Sequence, residues 1–207
     1  MFLSLIDLQS NRENAKILGN PYKTHQIIWE AFKCNQRNFL FRVENSVKIP
    51  DSWNIYILSE TMPNFNILNE KTKIIMNGFR TKEFKPKLEN GMKLRFYLRA
   101  NATIKKFSEK EKKGKRLAIL KEEELLQWIL KKAEKHGFML KSESTKLSNK
   151  RTYKSFKGLG EKMITLGGVD FSGILTVRDC TAFNNALKKG IGSAKAFGFG
   201  LLSIMPL

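Results

Sequence analysis

The chain has 207 residues, 42% of them hydrophobic and 15 of them Phe, which is enough for one large domain or two small ones and too apolar for a disordered basic tail. Its 38 Lys and Arg against 19 Asp and Glu give a formal net charge of +19, so an anionic partner is expected, nucleic acid first and an anionic membrane surface second. No apolar run approaches the roughly 20 residues of a spanning helix, and no long basic amphipathic helix dominates. The opening Met1–Ile6 lacks a basic region and meets Asp7 too early for a signal peptide, so a cytoplasmic protein without membrane association is expected. Cys34 and Cys180 stand without a second pair, which indicates neither a disulfide framework nor a zinc site.

Met1–Asp7 reads as a first strand. Asn20-Pro21 is a helix start, with Asn as N-cap and Pro at the first helical position, and the helix is predicted to run to about Cys34. Phe39–Val43 and Asn54–Leu58 read as strands. Between Ser59 and Pro86 the pattern breaks down, with Met62-Pro63 and Asn77-Gly78 marking turns. Lys93–Ala100 alternates as a strand, and Lys105–Arg116, with seven basic residues, reads as a solvated connector. The domain boundary is placed there, giving domains of residues 1–110 and 111–207. The second half restarts with a strand over Arg116–Leu120. Glu122–His136 is a helix with glutamates at its start, lysines at its end and Gly137 as stop. Phe138–Leu140 starts a strand, Lys146–Lys157 is a polar hairpin candidate, and Phe171–Val177 is a strand. A helix over Asp179–Lys188, a glycine-rich loop and a closing strand follow. The order of elements predicts an α+β fold of two tandem ferredoxin-like (RRM-like) domains with antiparallel sheets.

Three stretches carry candidate chemistry. The first is Gly190–Leu202, where Gly190, Gly192, Gly198 and Gly200 leave backbone N–H groups unshielded beside Lys188, Lys189 and Lys195. Such a loop suits a phosphate chain, and a flexible surface turn is the alternative. The second is Lys146–Lys157, with five basic residues, no acid, and Tyr153 and Phe156 interleaved. It can track a phosphate backbone while a ring stacks on a base, or it can be a solvated charged loop. The third is the pair Tyr22 and His25, neighbours one turn apart at the positive end of a helix. That end favours the neutral imidazole, which accepts a proton; a half-buried histidine bordering the core is the alternative. His136 beside Gly137 reads as a helix cap. Metal-free RNA cleavage needs a base for the 2′-OH, an acid for the departing 5′-oxygen and a cation for the phosphate oxygens, and His, Tyr and Lys supply these. Only Glu122–Glu124 cluster among the acids, so no two-metal site is expected.

Six motifs occur in the order found in one family. They are Tyr22-x-x-His25-x-x-x-Trp29, Arg99-Ala-Asn-Ala-Thr103, Lys115-Arg116-x-x-x-Leu120, Trp128…Gly137-Phe138, Phe171-x-Gly-Ile-Leu-x-Val177 and Gly190-Ile-Gly-x-x-Lys195-Ala-Phe-Gly-x-Gly-Leu-Leu202. Together they resemble the CasE-type endoribonucleases of type I-E CRISPR systems, within the RAMP superfamily, over nearly the whole chain. The resemblance implies a metal-independent endoribonuclease, without cofactor, that binds the hairpin of CRISPR repeat RNA and cuts at its 3′ base. It also implies that the product stays bound and that the protein, a monomer when free, joins other subunits of a surveillance complex. His25 matches the family's catalytic histidine and Tyr22 its neighbouring tyrosine, with Tyr22 or Lys154 supplying the second proton-transfer role. RNA contact is expected from Lys146, Lys150, Arg151 and Lys157 in the basic segment, from Gly190, Gly192 and Lys195 in the loop, and from Lys115 and Arg116. The sequence departs from the family at Ala102, where proline is common. A non-catalytic RNA-binding subunit and a basic ribonucleoprotein component are the rival readings.

Overall fold

The computed structural model describes residues 1–32, 35–46, 52–108, 113–156 and 163–207. The first half runs β1 (Phe2–Leu8), α1 (Arg12–Leu18), α2 (Pro21–Trp29), β2 (Phe39–Asn45), β3 (Trp53–Ser59), α3 (Asn66–Lys71) and β4 (Met76–Glu83). Its sheet has the order β2-β3-β1-β4, all antiparallel. The second half runs β5 (Lys93–Ala100), β6 (Thr103–Ser108), β7 (Lys113–Ala118), α4 (Glu122–Lys135), β8 (Phe138–Leu140), β9 (Lys146–Ser155), β10 (Ile164–Val177), α5 (Cys180–Lys189) and β11 (Leu202–Pro206). Its sheet has the order β11-β5-β10-β8, with β9 continuing along β10 beyond β8. Counted within each half, both sheets have strand order 4-1-3-2 with helices after the first and third strands, which is the ferredoxin-like arrangement expected.

Each sheet buries one face under its own helices. Ile6, Leu8, Phe39, Phe41, Ile55 and Ile57 pack against Ile27, Ile28 and Leu68 in the first half. Leu94, Phe96, Leu98, Phe171 and Leu175 pack against Leu125, Ile129, Phe183 and Leu187 in the second. The alternation of β5 follows the two-residue period of a strand, with Leu94, Phe96 and Leu98 inward and Lys93 and Arg95 outward.

Polar bonds and a small apolar cluster of Leu40, Leu58 and Leu201 join the halves. Arg42 on β2, 4% exposed, donates to the Leu201 carbonyl at 3.2 Å and to Ser203 Oγ at 3.0 Å, under the ring of Tyr97. In the opposite direction, Arg99 on β5 donates to the Val43 carbonyl at 2.7 Å. Arg99 is fixed by Asp170 on β10, which is 1% exposed and lies 2.7 Å from Arg99 Nε. Burial pushes the Asp170 carboxyl up, but donors from Arg99, Tyr97 and Asn149 outweigh it and hold the group below the usual carboxylate range.

Several expectations are corrected. β5 pairs with β10 and β11, so the two sheets divide the chain ahead of Lys93 and not near residue 110. The supposed connector over Lys105–Arg116 contributes β6 and β7, an antiparallel pair standing outside both sheets. The basic segment is not a hairpin on itself; Lys146–Ser155 is one strand paired along β10. The stretch from Ser59 to Pro86 holds α3 and β4, and Asn77-Gly78 is an irregularity within β4 opposite Asp7 and Leu8, not a turn. α2 ends at Trp29, because Glu30, Ala31 and Phe32 donate three residues back to Ile27, Ile28 and Trp29 and tighten the chain. That turn stacks Phe32 on Phe39 at 4.8 Å. Cys34, where the helix was expected to end, lies outside the described residues.

Candidate nucleic-acid interface and active site

The site forms where three segments meet at the start of α2. Asn20 caps that helix by accepting from the Tyr22 N–H at 3.2 Å. The same Asn20 oxygen accepts from Ser155 Oγ at 2.9 Å, and its amide donates to the Phe156 carbonyl at 2.9 Å. Ser155 Oγ also accepts from the Tyr22 N–H at 3.2 Å. The helix carrying Tyr22 and His25 is thereby clasped to the end of the basic strand β9. On its other side, α2 meets the glycine loop, with the Tyr22 ring 6.3 Å from that of Phe197.

His25 lies inside this junction. It is 8% exposed and packs against Trp29 at 5.3 Å, Phe39 at 5.4 Å and Phe41 at 6.2 Å. Its Nε2 is buried without a hydrogen-bond partner. Burial, reinforced by the charge of Arg37, lowers its pKa from 6.5 to about 4, so the ring is neutral at pH 7. The neutral imidazole agrees with the sequence reading, but the cause is enclosure and a guanidinium more than the helix end. The ring is also more closed than the sequence suggests, since its core neighbours Phe39 and Phe41 come from β2 across the fold.

Cations gather at this junction, with Arg37 acting on the ring itself, and no compensating carboxylate acts on it among the described residues. The Arg37 charge acts on His25 and on Lys195 alike. Lys195 is half-buried and donates to the Lys189 carbonyl at 2.6 Å, which orients its ammonium at the end of α5. Burial, then Arg37, Lys132 and Lys189, push its pKa down. His136, the C-cap of α4, is likewise pushed down by burial and by Lys132, Lys135 and Lys195. These groups repel one another in the free protein, which is the electrostatic condition of a site awaiting a phosphate. Arg37 is absent from the sequence reading: nothing in its neighbours sets it apart, and its charge acts on His25 from the segment just before β2.

The remaining candidates divide. Tyr22, His25 and Lys195 are brought together. Lys154 is exposed on β9, and strand alternation sets it on the face opposite Ser155, away from Tyr22. Lys150 shares the Lys154 face and reaches Glu122 at 3.1 Å. Arg151 shares the face of Tyr153 and Ser155. Lys146 and Arg116 are exposed, Lys115 lies in β7, and Lys157 lies outside the described residues.

The glycine loop needs a different reading. Gly190 is buried, with φ at 72°, and donates its N–H to the Ala186 carbonyl at 2.8 Å. A Cβ there would stand 2.8 Å from the Gly200 carbonyl oxygen and from Leu40, so this glycine closes the end of α5 and does not face phosphate. Ile191 and Gly200 also spend their N–H groups internally, on the Gly200 and Arg99 carbonyls. Gly192, half-buried, packs on Trp128. The middle motif completes the latch: Ser193 Oγ donates to the Asn101 carbonyl at 3.1 Å, and Ala102 is buried. The loop therefore positions Lys195 and Phe197 more than it offers amides.

No helix among the described residues is long and apolar enough to cross a membrane. The family described as CRISPR associated protein matches residues 1–206. The chain is 32% identical over 198 residues to the CRISPR system Cascade subunit CasE of Escherichia coli, covering 90% of this chain and 92% of that one. It is 29% identical over 211 residues to the CRISPR-associated endoribonuclease Cse3 of Thermus thermophilus, covering 95% of each. A solved structure of CRISPR endoribonuclease Cse3 bound to a 19-nucleotide RNA superposes with a TM-score of 0.85 at 27% identity, over 100% of both chains. With the tandem ferredoxin-like halves and the Tyr22–His25 helix in place, the chain belongs to the CRISPR-associated protein family and within it to the CasE/Cse3 type.

Proposed function

We propose that this protein is a metal-independent endoribonuclease that binds the stem-loop of CRISPR repeat RNA, cuts at the 3′ base of the stem and keeps the product. The observation that carries the reading is His25: a neutral, enclosed imidazole with an orphaned Nε2 among cations that lack a counter-ion within the described residues. An unpaired buried polar atom costs about 1–3 kcal/mol, and a substrate hydroxyl that reaches it recovers that cost. His25 takes the 2′-OH proton, and the 2′-oxygen attacks phosphorus. The bond to the 5′-oxygen breaks, and Tyr22, one turn earlier on α2, protonates that oxygen. The products are a 2′,3′-cyclic phosphate and a 5′-hydroxyl. Arg37 and Lys195 stabilise the charge on the non-bridging oxygens, and the exposed cations of β9 hold the stem in line. The likeness to an RNA-bound Cse3 and to a Cascade subunit supports the RNA partner and a place among other subunits of a type I-E surveillance complex.

The test is cleavage of the protein's own repeat hairpin in EDTA. Wild type cuts, His25→Ala does not, and a 2′-deoxy substitution at the cleaved nucleotide preserves binding while blocking the cut. Equal cutting by His25→Ala removes the assignment. The closed state of the ring favours one second reading, a non-catalytic RNA holder, which protects the hairpin in the same assay without cutting it.

A further inference from the structure

A second cavity lies beside the His25 site, between the two halves, and of its lining only Arg151, one of the exposed cations of β9, has a role in the cleavage proposed above. It is a cleft of about 540 Å³ walled by the ends of α1, β2 and β3 on one side and by β5 and β9 on the other. Three aromatic residues, Trp53, Tyr97 and Tyr153, line it together with Arg99, Arg151 and Asn149. A narrow pocket that shares Val43, Arg99 and Tyr153 with the cleft continues to Phe41 and Phe197. Phe41 packs on His25 and Phe197 lies against Tyr22, so one wall runs from the cleft to the candidate active site.

The lining is built and held. Asp170, 1% exposed, accepts from Tyr97 at 2.6 Å, from Arg99 at 2.7 Å and from Asn149 at 3.0 Å. Tyr153 is set edge-on to Phe199 at 5.2 Å, directly over Gly168, where a Cβ would stand 2.5 Å from the Tyr153 ring. Charge inside the cleft is balanced, Arg99 by Asp170 and Arg42 by Glu44. The unbalanced charge is at the rim, where exposed Arg151 has no carboxylate within ion-pair distance among the described residues. Neutral aromatic walls with a single rim cation suit a nucleobase inside and its phosphate outside, because a phosphate in the interior would face Glu44 and Asp170.

We propose that this cleft is a single-nucleotide subsite, which takes the unpaired base on the 3′ side of the scissile phosphate, stacks it on Trp53 and Tyr153 and holds the next phosphate, on its 3′ side, with Arg151. The assignment rests on the endoribonuclease reading: a cut at the 3′ base of a stem leaves the 3′ neighbour as the unpaired nucleotide beside the bond. Holding that base fixes the leaving 5′-oxygen relative to His25, which is the alignment an in-line displacement requires.

The experiment measures affinity for the repeat hairpin blocked by a 2′-deoxy at the cleaved nucleotide, with and without an abasic residue at the 3′ neighbour. Base stacking predicts that the abasic probe binds wild type roughly 5- to 150-fold more weakly. Trp53→Leu and, separately, Arg151→Ala should weaken binding of the intact probe, and in Trp53→Leu the abasic penalty should shrink, with Tyr153 left as the one stacking face. A 2-aminopurine at that position should be quenched on binding to wild type and regain emission in Trp53→Leu. If the abasic probe binds as tightly as the intact one, or the penalty is the same in wild type and both variants, the subsite is refuted while hairpin binding stands. If wild type neither binds nor cuts the hairpin, the endoribonuclease reading itself has failed.

Discussion

Replacing His25 by Leu should make the free protein more acid-resistant while removing its cleavage. In the folded chain the ring stays neutral down to about pH 4, whereas an unfolded histidine titrates near 6.5. Between those values the unfolded state binds the extra proton, so stability falls as pH drops and is restored as pH rises. At about 1.4 kcal/mol per pH unit, the loss from neutral pH to pH 4 is about 3 kcal/mol. The substitution also removes the orphaned Nε2, worth about 1–3 kcal/mol, which offsets the imperfect fit of a branched side chain among Trp29, Phe39 and Phe41. Urea denaturation of both proteins from pH 7.5 to pH 4 at constant ionic strength measures the difference. Asp170 and His136 titrate in both chains and cancel in the comparison. A gap between wild type and His25→Leu that stays constant over the range would show that the imidazole is not held neutral in the fold, and the base assignment would lose its footing.

Asp170→Ala should cost about 3–5 kcal/mol in chemical denaturation, because it strands the mostly buried Arg99 guanidinium. Gly190→Ala should cost about 1–3 kcal/mol and loosen the loop, since its Cβ meets the Gly200 carbonyl oxygen and Leu40 at a φ of 72°. Thermal denaturation checks the cost, and cleavage should fall with it as Lys195 is displaced. Lys150→Ala should change stability by less than about 1 kcal/mol, as its pair with Glu122 is on the surface. The same variant should reduce the slope of log affinity for the hairpin against log salt by about one.

Much of the fold was legible because burial leaves a period in the chain. β5 alternates strictly and α4 carries its charges at the proper ends, so both stand where the sequence predicts. β4 was unreadable for the opposite reason: it is an edge strand with mostly polar, exposed residues and an internal irregularity. α1 carries only Ile17 and Leu18 as long apolar residues, and its N-cap Asn11 is followed by a polar run, so no stripe announces it. The domain boundary was misplaced because the charged run over Lys105–Arg116 looks like a linker, whereas pairing to β10, which no local signal reports, assigns β5 to the second half. At the site, Tyr22 and His25 were legible from helical spacing. Arg37 and the inward turn of Gly190 depend on contacts between segments distant in sequence, and the face that Lys154 takes on β9 follows from the pairing with β10, which the polar segment itself does not announce.

Two guanidiniums cross between the halves in opposite directions, Arg42 to the Leu201 carbonyl and Arg99 to the Val43 carbonyl. Swinging one half away from the other would break both of these charge-assisted hydrogen bonds, at a cost of about 1.5–3 kcal/mol each, and would expose the seam of Leu40, Leu58 and Leu201. These crossings hold the halves against a hinge, and a shift of the latch around Lys195 and Phe197, which borders Tyr22, is the expected way to open the His25 ring to RNA. The radius of gyration of the protein portion should then be the same with and without the hairpin, while hydrogen exchange changes are confined to residues 190–200.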